Sequence, residues 1–212
     1  MKTIKRMTTT LLAVAVLGAP LAALAGKGMG RQAADVSATL DADEIADLLY
    51  MREEEKLARD VYRTLYELWA LPVFDNISES EQVHTTSVED MLEKYDVPDP
   101  VADDSTGVFV NQDLANLYQA LITEGGMSSL QALYVGAAIE ELDMLDLQHA
   151  IDTTDNDDIR QLYENLMSGS RNHLRAFVGQ IEDLGIVYEA QYLTQEEVDS
   201  IVDSPVERGR RH

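Results

Sequence analysis

From about Leu40 onward, hydrophobic residues recur at intervals of three and four positions, and no stretch shows the sustained alternation of a β-strand. This period is that of an amphipathic α-helix with one buried face. On this basis four long helices are predicted, over residues 41–70, 77–95, 128–151 and 156–184. The sequence therefore predicts an all-α domain.

Helix starts are indicated by a capping residue three positions before an acid or an amide. Five pairs have this spacing: Asp41 with Glu44, Asn76 with Glu79, Ser128 with Gln131, Asp155 with Asp158, and Thr194 with Glu197. The first helix is expected to stop at Pro72, because proline cannot continue a helix.

About thirty residues connect the second and third long helices, and a short helix is predicted within them from Asn111 to Glu124. Such a connection is long for neighbouring helices of an up-down bundle. A crossover that runs the length of the bundle fits it better. We therefore expect a four-helix bundle with a long crossover between its helices 2 and 3.

The first 25 residues have the pattern of an export signal, with a basic start, an apolar stretch and a small-x-small site at Ala23-Leu24-Ala25. We expect cleavage before Gly26 and a periplasmic or secreted protein with no membrane contact afterwards; an uncleaved membrane anchor is the alternative. The predicted organisation is a signal peptide over 1–25, a flexible segment over 26–39, a helical domain over 40–203 and a flexible tail over 204–212.

The amino-acid composition excludes several kinds of binding partner and metal site. The chain has 39 Asp and Glu against 16 Lys and Arg, a formal net charge of −23, and no Cys. Such a charge repels phosphate backbones, so nucleic acid is not an expected partner. Without Cys there can be no disulfide, zinc–thiolate site or iron–sulfur cluster. Any metal must be bound through carboxylate oxygens and imidazole nitrogens.

Several ionisable residues nevertheless fall on the hydrophobic faces of the predicted helices. Glu81 and His84 lie three positions apart, which places them on the same face of the second helix. Glu140 falls on the hydrophobic face of the third helix, with Asp143 one turn further on. His173 falls on that of the fourth helix.

The first helix contributes a further acid. Glu55 shares a face with hydrophobic residues, although Glu53 and Glu54 compete for the inward position. Burying one isolated carboxylate costs several kcal/mol, and a domain is stable by only about 5–15 kcal/mol. Bound cations would compensate. Two divalent ions would balance Glu55, Glu81, Glu140 and Asp143, with one nitrogen each from His84 and His173. Mixed oxygen and nitrogen ligation suits iron, with manganese as the alternative.

These segments resemble the ferritin-like di-iron carboxylate proteins, in which two helices each supply a Glu and two supply Glu-x-x-His. Glu55-Lys-Leu-Ala-Arg-Asp-Val-Tyr62 resembles the Glu-x-x-Ala-x-x-x-Tyr of their first helix, and Ser80-Glu81-Gln-Val-His84 their second-helix motif. With Gly136-Ala-Ala-Ile-Glu140-Glu-Leu-Asp143 and Asn172-His173-Leu-Arg-Ala-Phe177, the ensemble is similar to an uncharacterised prokaryotic ferritin-like family, domain of unknown function 2202, and more distantly to rubrerythrin and ferritin.

The resemblance implies a ferritin-like bundle with a dinuclear iron centre, in which Glu81 and Glu140 bridge the ions and His84 and His173 are terminal ligands. Ser170 departs from this pattern, because it stands where the Glu before His173 is expected. Asp143 could restore the carboxylate; otherwise the site has an open position or holds its second metal weakly.

Three functions are left open by the sequence. An enzyme would oxidise ferrous iron with oxygen or peroxide as a ferroxidase or peroxidase. A non-catalytic metal-binding or stress-related protein would hold iron or another divalent ion without turnover. An acidic helical interaction module would bind no metal. Whether the chain forms a homo-oligomer is also left open.

Overall fold

The computed structural model describes residues 39–207, and this part of the chain forms six α-helices and no strand. The helices are α1 (Ala42–Trp69), α2 (Pro72–Lys94), α3 (Gln112–Gly125), α4 (Ser129–Thr153), α5 (Asp157–Asp183) and α6 (Gln195–Val202). The predicted all-α class is confirmed. The predicted signal peptide, nearly all of the segment over 26–39 and the last five residues lie outside the described residues.

Three predicted helix starts are confirmed by their hydrogen bonds. Asp41 and Glu44 form a reciprocal capping box at the start of α1, and Thr194 and Glu197 form one at α6. At α4, the Ser128 hydroxyl accepts a hydrogen bond from the backbone N–H of Gln131, 3.0 Å away.

Two of the predicted capping pairs are wrong. Helix α2 begins at Pro72 rather than at residue 77, because a proline needs no N–H partner in the first turn and its fixed φ suits a helix start. Helix α1 ends just before, at Trp69, and is capped by Ala70, whose φ of 50° is left-handed. The same proline therefore separates two helices without a loop. At α5 the capping position is Asn156, not Asp155, and its side chain makes no capping hydrogen bond.

The helices pack in a defined set of pairs. The most extensive contacts join α1 to α2 and α4 to α5, and α1 also contacts α4 while α2 contacts α5. Helices α1 and α4 run antiparallel, since Glu44 at the start of α1 meets Thr154 at the end of α4, and Tyr62 meets Glu140. Helix α3 lies in the connection between α2 and α4 and contacts both α1 and α4.

A hydrophobic core fills the space between these helices, with Leu48, Val61, Phe74, Leu174 and Phe177 fully buried. Gly136 of α4 allows the closest approach there, because a Cβ at this position would lie 2.5 Å from the ring of Phe177. Within residues 39–207, the helices are all too short or too polar to cross a bilayer.

The centre of α1 is buried on every side, from Met51 to Tyr62. Its charged residues are covered by the segment that follows α2. Arg59 donates to the Asp104 carboxylate at 2.7 Å, and Lys56 donates to the Ser105 carbonyl at 3.0 Å while pairing with Asp60 at 2.6 Å. This cover holds α1 in the interior, where Glu55 faces α2 and Glu54 faces α4.

Candidate metal centre

Three ligand-type side chains from two helices converge inside the protein. Glu81 and His84 are one turn apart on α2, and His173 comes from α5. One ligand atom from each lies within 4.8 Å of the other two. All three residues are largely buried, since their side chains are at most 12% exposed. We call Glu55, Glu81, His84, Glu140, Asp143 and His173 the inner cluster.

His84 lies between two carboxylates. Its Nδ1 is 2.8 Å from Glu81 Oε2 and 3.2 Å from Glu55 Oε2. The Oε1 atom of Glu55 is buried, and no residue in the described part of the chain donates a hydrogen bond to it. Glu55 of α1 therefore meets the α2 pair, with one oxygen unpaired.

His173 lies between two carboxylates in the same way. Its Nδ1 is 2.7 Å from Glu81 Oε1 and 3.4 Å from Glu140 Oε2. The two oxygens of Glu81 thus face different imidazoles, whose ring centroids are 5.3 Å apart. Glu81 occupies the middle of the inner cluster.

The orientation of His173 is set by its other ring nitrogen, Nε2, which is 2.8 Å from Ser80 Oγ. The Nδ1 atom is buried and is not aligned for a hydrogen bond with any residue among 39–207, although the Glu81 oxygen is close. When Nε2–H donates to Ser80, the neutral imidazole turns the lone pair of Nδ1 towards the carboxylates. A hydrogen bond on the far nitrogen is also how metal-binding histidines are usually held.

Asp143 is tied to the residue that replaces the expected fourth-helix Glu. Ser170 Oγ lies 2.5 Å from Asp143 Oδ2 and 3.0 Å from the Leu166 carbonyl. The Oδ1 atom of Asp143 is buried, and the structure shows no hydrogen-bond partner for it among the residues described. A carboxylate oxygen from α4 is therefore held beside Ser170 of α5.

Glu140 is fixed by Tyr62, whose hydroxyl donates to Glu140 Oε1 at 2.5 Å. The Tyr62 ring is fully buried and packs against Phe74 and Phe177, with centroids 6.1 and 5.2 Å away. This hydrogen bond leaves Glu140 Oε2 on the side of His173.

Gly169 makes room for the His84 ring, because glycine has no side chain. A Cβ on this residue of α5 would lie 2.4 Å from both Cε1 and Nε2 of the His84 ring. Real Cβ atoms do not approach a ring so closely, so only glycine admits the ring in this position. The Gly169-Ser170 pair thus accommodates two members of the inner cluster.

Burial raises the pKa of three carboxyl groups of the inner cluster, those of Glu55, Glu140 and Asp143. The pKa of Glu55 is raised to about 7, although His84 opposes the shift, and that of Asp143 is raised well above its usual value by burial and by Glu55 and Glu140. The pKa of Glu140 is raised for the same reason. These carboxyls therefore tend to hold protons when no other cation is near.

The pKa values of the two histidines are raised and that of Glu81 is lowered, because neighbouring opposite charges favour the charged form of each group. Burial alone would lower the pKa of His173, but the carboxylates of Glu81 and Glu140 raise it to about 10, and Glu81 and Glu55 raise that of His84. Burial alone would raise the pKa of Glu81, but the two imidazolium groups lower it. Protons on the imidazoles supply the positive charge that the carboxylates require.

The structure separates the three consecutive acids of α1. Glu55 joins the inner cluster. Glu53 instead accepts hydrogen bonds from the backbone N–H groups of Val110 and Asn111, at 2.6 and 3.0 Å, and so anchors the start of α3. Glu54 faces α4 near Asp146. The sequence interpretation of Glu55 as the inward residue agrees with this arrangement.

Two residues of the site were not identified from the sequence. Ser80 positions His173, and Gly169 makes room for His84. A glycine in the middle of a long predicted helix was the available signal for the second, since glycine costs helix stability unless a close approach needs it.

The donor set of the inner cluster fits a divalent cation. Carboxylate oxygens and imidazole nitrogens are ligands of iron, manganese and zinc. Three of these buried ligand atoms, Glu55 Oε1, Asp143 Oδ1 and His173 Nδ1, have no hydrogen-bond partner within residues 39–207. Unpaired buried polar atoms are costly, and a bound cation would satisfy them.

A protein-family model described as an uncharacterized protein domain, DUF2202, matches residues 44–205. The chain belongs to the DUF2202 family. The match includes all six residues of the inner cluster, and it confirms the part of the predicted resemblance that concerns this family.

An archaeal protein is similar to this chain over most of its length. The chain is 53% identical over 167 residues to the uncharacterized protein MJ0754 of Methanocaldococcus jannaschii, covering 79% of this chain and 90% of that protein. The fold is similar to that in the crystal structure of hypothetical protein MJ0754 from Methanococcus jannaschii, with a TM-score of 0.78 and 49% identity. That comparison covers 85% of this chain and 100% of the other.

Proposed function

We propose that the protein is a ferritin-like metal-binding protein whose inner cluster holds two divalent ions, with iron as the expected metal and manganese as the alternative. The observation that carries this proposal is the position of Glu81. Its two carboxylate oxygens face different imidazoles, at 2.8 and 2.7 Å, as a carboxylate shared by two ions would.

Two half-sites follow from the contacts of Glu81. Glu55 and His84 would hold one ion together with Glu81 Oε2, and Glu140 and His173 would hold the other together with Glu81 Oε1. Asp143 offers a further unpaired oxygen beside Ser170. In this proposal Asp143 supplies the carboxylate that the fourth helix lacks.

The helix contacts support a ferritin-like four-helix bundle made of α1, α2, α4 and α5. Each of these helices contacts two others of the set, and residues 95–128, with α3 among them, would form the crossover between α2 and α4. Ligands of the inner cluster come from all four helices. We also propose that the protein is exported, on the strength of the pattern of residues 1–25.

The expected chemistry is oxidation of ferrous iron by oxygen or peroxide. Two bound ferrous ions would supply the two electrons that convert oxygen and two protons to hydrogen peroxide, or hydrogen peroxide and two protons to two waters. The chain's own residues hold the charges and exclude water, and the Tyr62 hydroxyl, whose oxygen is 2.5 Å from Glu140 Oε1, donates its proton in that hydrogen bond. Since the chain has no Cys, electrons to reduce the centre again must come from an outside donor.

A metal-free interaction module is the second candidate, and one observation favours it. Each imidazole already lies against carboxylates that raise its pKa, so imidazolium–carboxylate pairs could satisfy much of the cluster without metal. In that case the cluster would be a structural network of hydrogen bonds and ion pairs.

Metal content separates the two candidates. Glu81→Ala and His84→Ala should lower the iron or manganese bound after reconstitution of the metal-free protein, and should abolish stabilisation by metal. The matched controls are Glu79→Ala on an exposed position of α2 and His149→Ala on an exposed position of α4, which should bind as the wild type does. Retention of wild-type metal content by both cluster variants would refute the proposal.

Turnover is tested separately from binding. Oxygen or peroxide consumption on addition of ferrous ion should require Glu81 and His84, and should be unchanged in Glu79→Ala. Tight binding of ferrous ion without consumption of either oxidant would support a non-catalytic metal-binding role.

A further inference from the structure

Most buried acids outside the inner cluster are explained by the backbone groups they bind. Glu53 accepts hydrogen bonds from two N–H groups at the start of α3. Glu141 of α4 accepts from the N–H groups of Gln191, Tyr192 and Leu193, at 3.0, 2.6 and 2.8 Å, and so anchors the segment after α5. Such carboxylates have a structural role that needs no other cation.

Glu54 has no such explanation. It is only 7% exposed, and no residue among those described donates a hydrogen bond to its Oε2. Another acid, Asp146, lies near Glu54, and the Asp146 carboxyl is also near the Tyr50 hydroxyl. Two facing carboxyls with a single hydroxyl beside them have more acceptors than donors.

Glu54 and Asp146 lie at the contact between α1 and α4, directly beside the inner cluster. Glu54 precedes Glu55 on α1, and Asp146 is one turn beyond Asp143 on α4, which corresponds to a rise of about 4.5 Å. Asp146 is only partly buried, whereas Glu54 and Asp143 are fully inside. Asp146 is therefore the most exposed of the three acids, and Asp143, one turn before it, belongs to the inner cluster.

We propose that Glu54 and Asp146 form a transfer position through which divalent cations pass between solvent and the inner cluster, by way of Asp143. This inference rests on the proposed metal-binding function. It assigns to the pair a role in the rate of loading and release, and none in the final amount of metal bound.

Two observations favour passage over storage. In the described part of the chain, no Lys or Arg forms an ion pair with either acid, and the basic side chain that acts on Asp146 is the exposed His149. Among the same residues, the cluster of three ligand atoms within 4.8 Å is that of Glu81, His84 and His173, and neither Glu54 nor Asp146 belongs to it. Two carboxylates can attract a cation but offer too few ligands to retain it.

The test measures the rate of Co²⁺ loading by the visible absorption of bound Co²⁺, in the full chain stripped of metal with a chelator. Glu54→Gln and Asp146→Asn should bind as much Co²⁺ at equilibrium as the wild type. Their loading rates, and the rates of Co²⁺ extraction by excess EDTA, should fall by about tenfold or more, because one charge of the path is removed. Asp152→Asn, an exposed acid of α4, is the charge-matched control and should load at the wild-type rate.

Each outcome decides the proposal. If the wild type binds Co²⁺ and both variants load as fast as it does, the transfer route is wrong while the metal site stands. If either variant loses bound Co²⁺ at equilibrium, the acids are ligands, and the transfer role is also wrong. If the wild type takes up no Co²⁺, the proposed function itself fails. If circular dichroism shows that Glu54→Gln does not fold, the Co²⁺ loading rate of Asp146→Asn decides the proposal, because Asp146 is partly exposed and its substitution disturbs the core less.

Discussion

Ser170 Oγ lies 2.5 Å from the carboxylate of Asp143, so a serine of α5 holds an acid of α4 beside the inner cluster. The resemblance to di-iron proteins places a Glu at this position of the fourth helix. A short side chain there leaves room for the neighbouring helix to supply the carboxylate instead. The two residues thus act as one unit, and this gives the first prediction.

Ser170→Glu alone should weaken metal binding and destabilise the metal-free protein, because it forces a second buried carboxylate against Asp143. Combined with Asp143→Ala, the same change should restore metal content towards that of the wild type. Metal titrations of the two single variants and the double variant form a double-mutant cycle that measures this coupling. Additive effects of the two changes would show that Ser170 and Asp143 do not share one position.

Gly169→Ala should reduce metal binding, because the added Cβ displaces the His84 ring from Glu81. Overpacking of this kind destabilises a protein by about 1–3 kcal/mol. Gly179→Ala on the same helix is the matched control, since nothing lies within 4 Å of its added Cβ. That control should instead raise stability by about 0.5–1 kcal/mol, the usual gain over glycine within a helix. Chemical unfolding and elemental analysis together check both results.

Ser80→Ala should lower metal affinity by about 10–100-fold without removing a ligand, because Ser80 orients His173 through its Nε2. Ser87→Ala is a serine control on α2, whose hydroxyl bonds only to the Val83 carbonyl of its own helix. Competition with a coloured chelator measures the affinity. An unchanged affinity in Ser80→Ala would show that the imidazole is held by its packing alone.

Helix positions were predictable from the sequence because they depend on local signals. The hydrophobic period and the capping boxes at Asp41 and Thr194 gave α1 and the start of α6 almost to the residue. The start of α2 was not predicted, because Pro72 carries two meanings: it ends one helix and suits the first turn of the next. Only the tertiary path of the chain shows that both apply.

The inward direction of Glu81, His84 and His173 was predictable because each falls on an otherwise hydrophobic helix face. The burial of Lys56, Arg59 and Asp60 was not, since a charged run on a helix normally indicates a solvent-exposed face. Their burial depends on the connection before α3, which lies over α1 and brings Asp104 to Arg59. Contacts between residues 45 positions apart have no local sequence signal.

The export signal predicts that the mature protein begins at Gly26. Expression of the full sequence in a bacterial host with a working secretion system should give an intact mass that lacks residues 1–25. Substitution of Ala23 and Ala25 by bulky residues should block this cleavage, whereas a change at Leu24 should not. A mass that retains residues 1–25 in the wild type would show that the segment is not removed.

Stability of the metal-free protein should fall as pH rises above about 5. Glu55, with a pKa raised to about 7, is protonated in the folded state over a range where the unfolded chain has lost that proton. His173, with a pKa raised to about 10, likewise keeps its proton in the folded state above the unfolded value. Since the folded state binds more protons in both ranges, its stability decreases with pH.

Bound metal should reverse the pH dependence of the protein's stability. Bound ions replace the protons of the inner cluster, so metal binding should release protons and stabilise the protein more at pH 8 than at pH 5. Thermal unfolding with and without Mn²⁺ across this range measures the difference, and calorimetry in buffers of different ionisation enthalpy counts the protons released. His149→Ala, which leaves the cluster intact, should show the same pH dependence as the wild type. A stabilisation by Mn²⁺ that is independent of pH would place the ion on surface acids, away from the inner cluster.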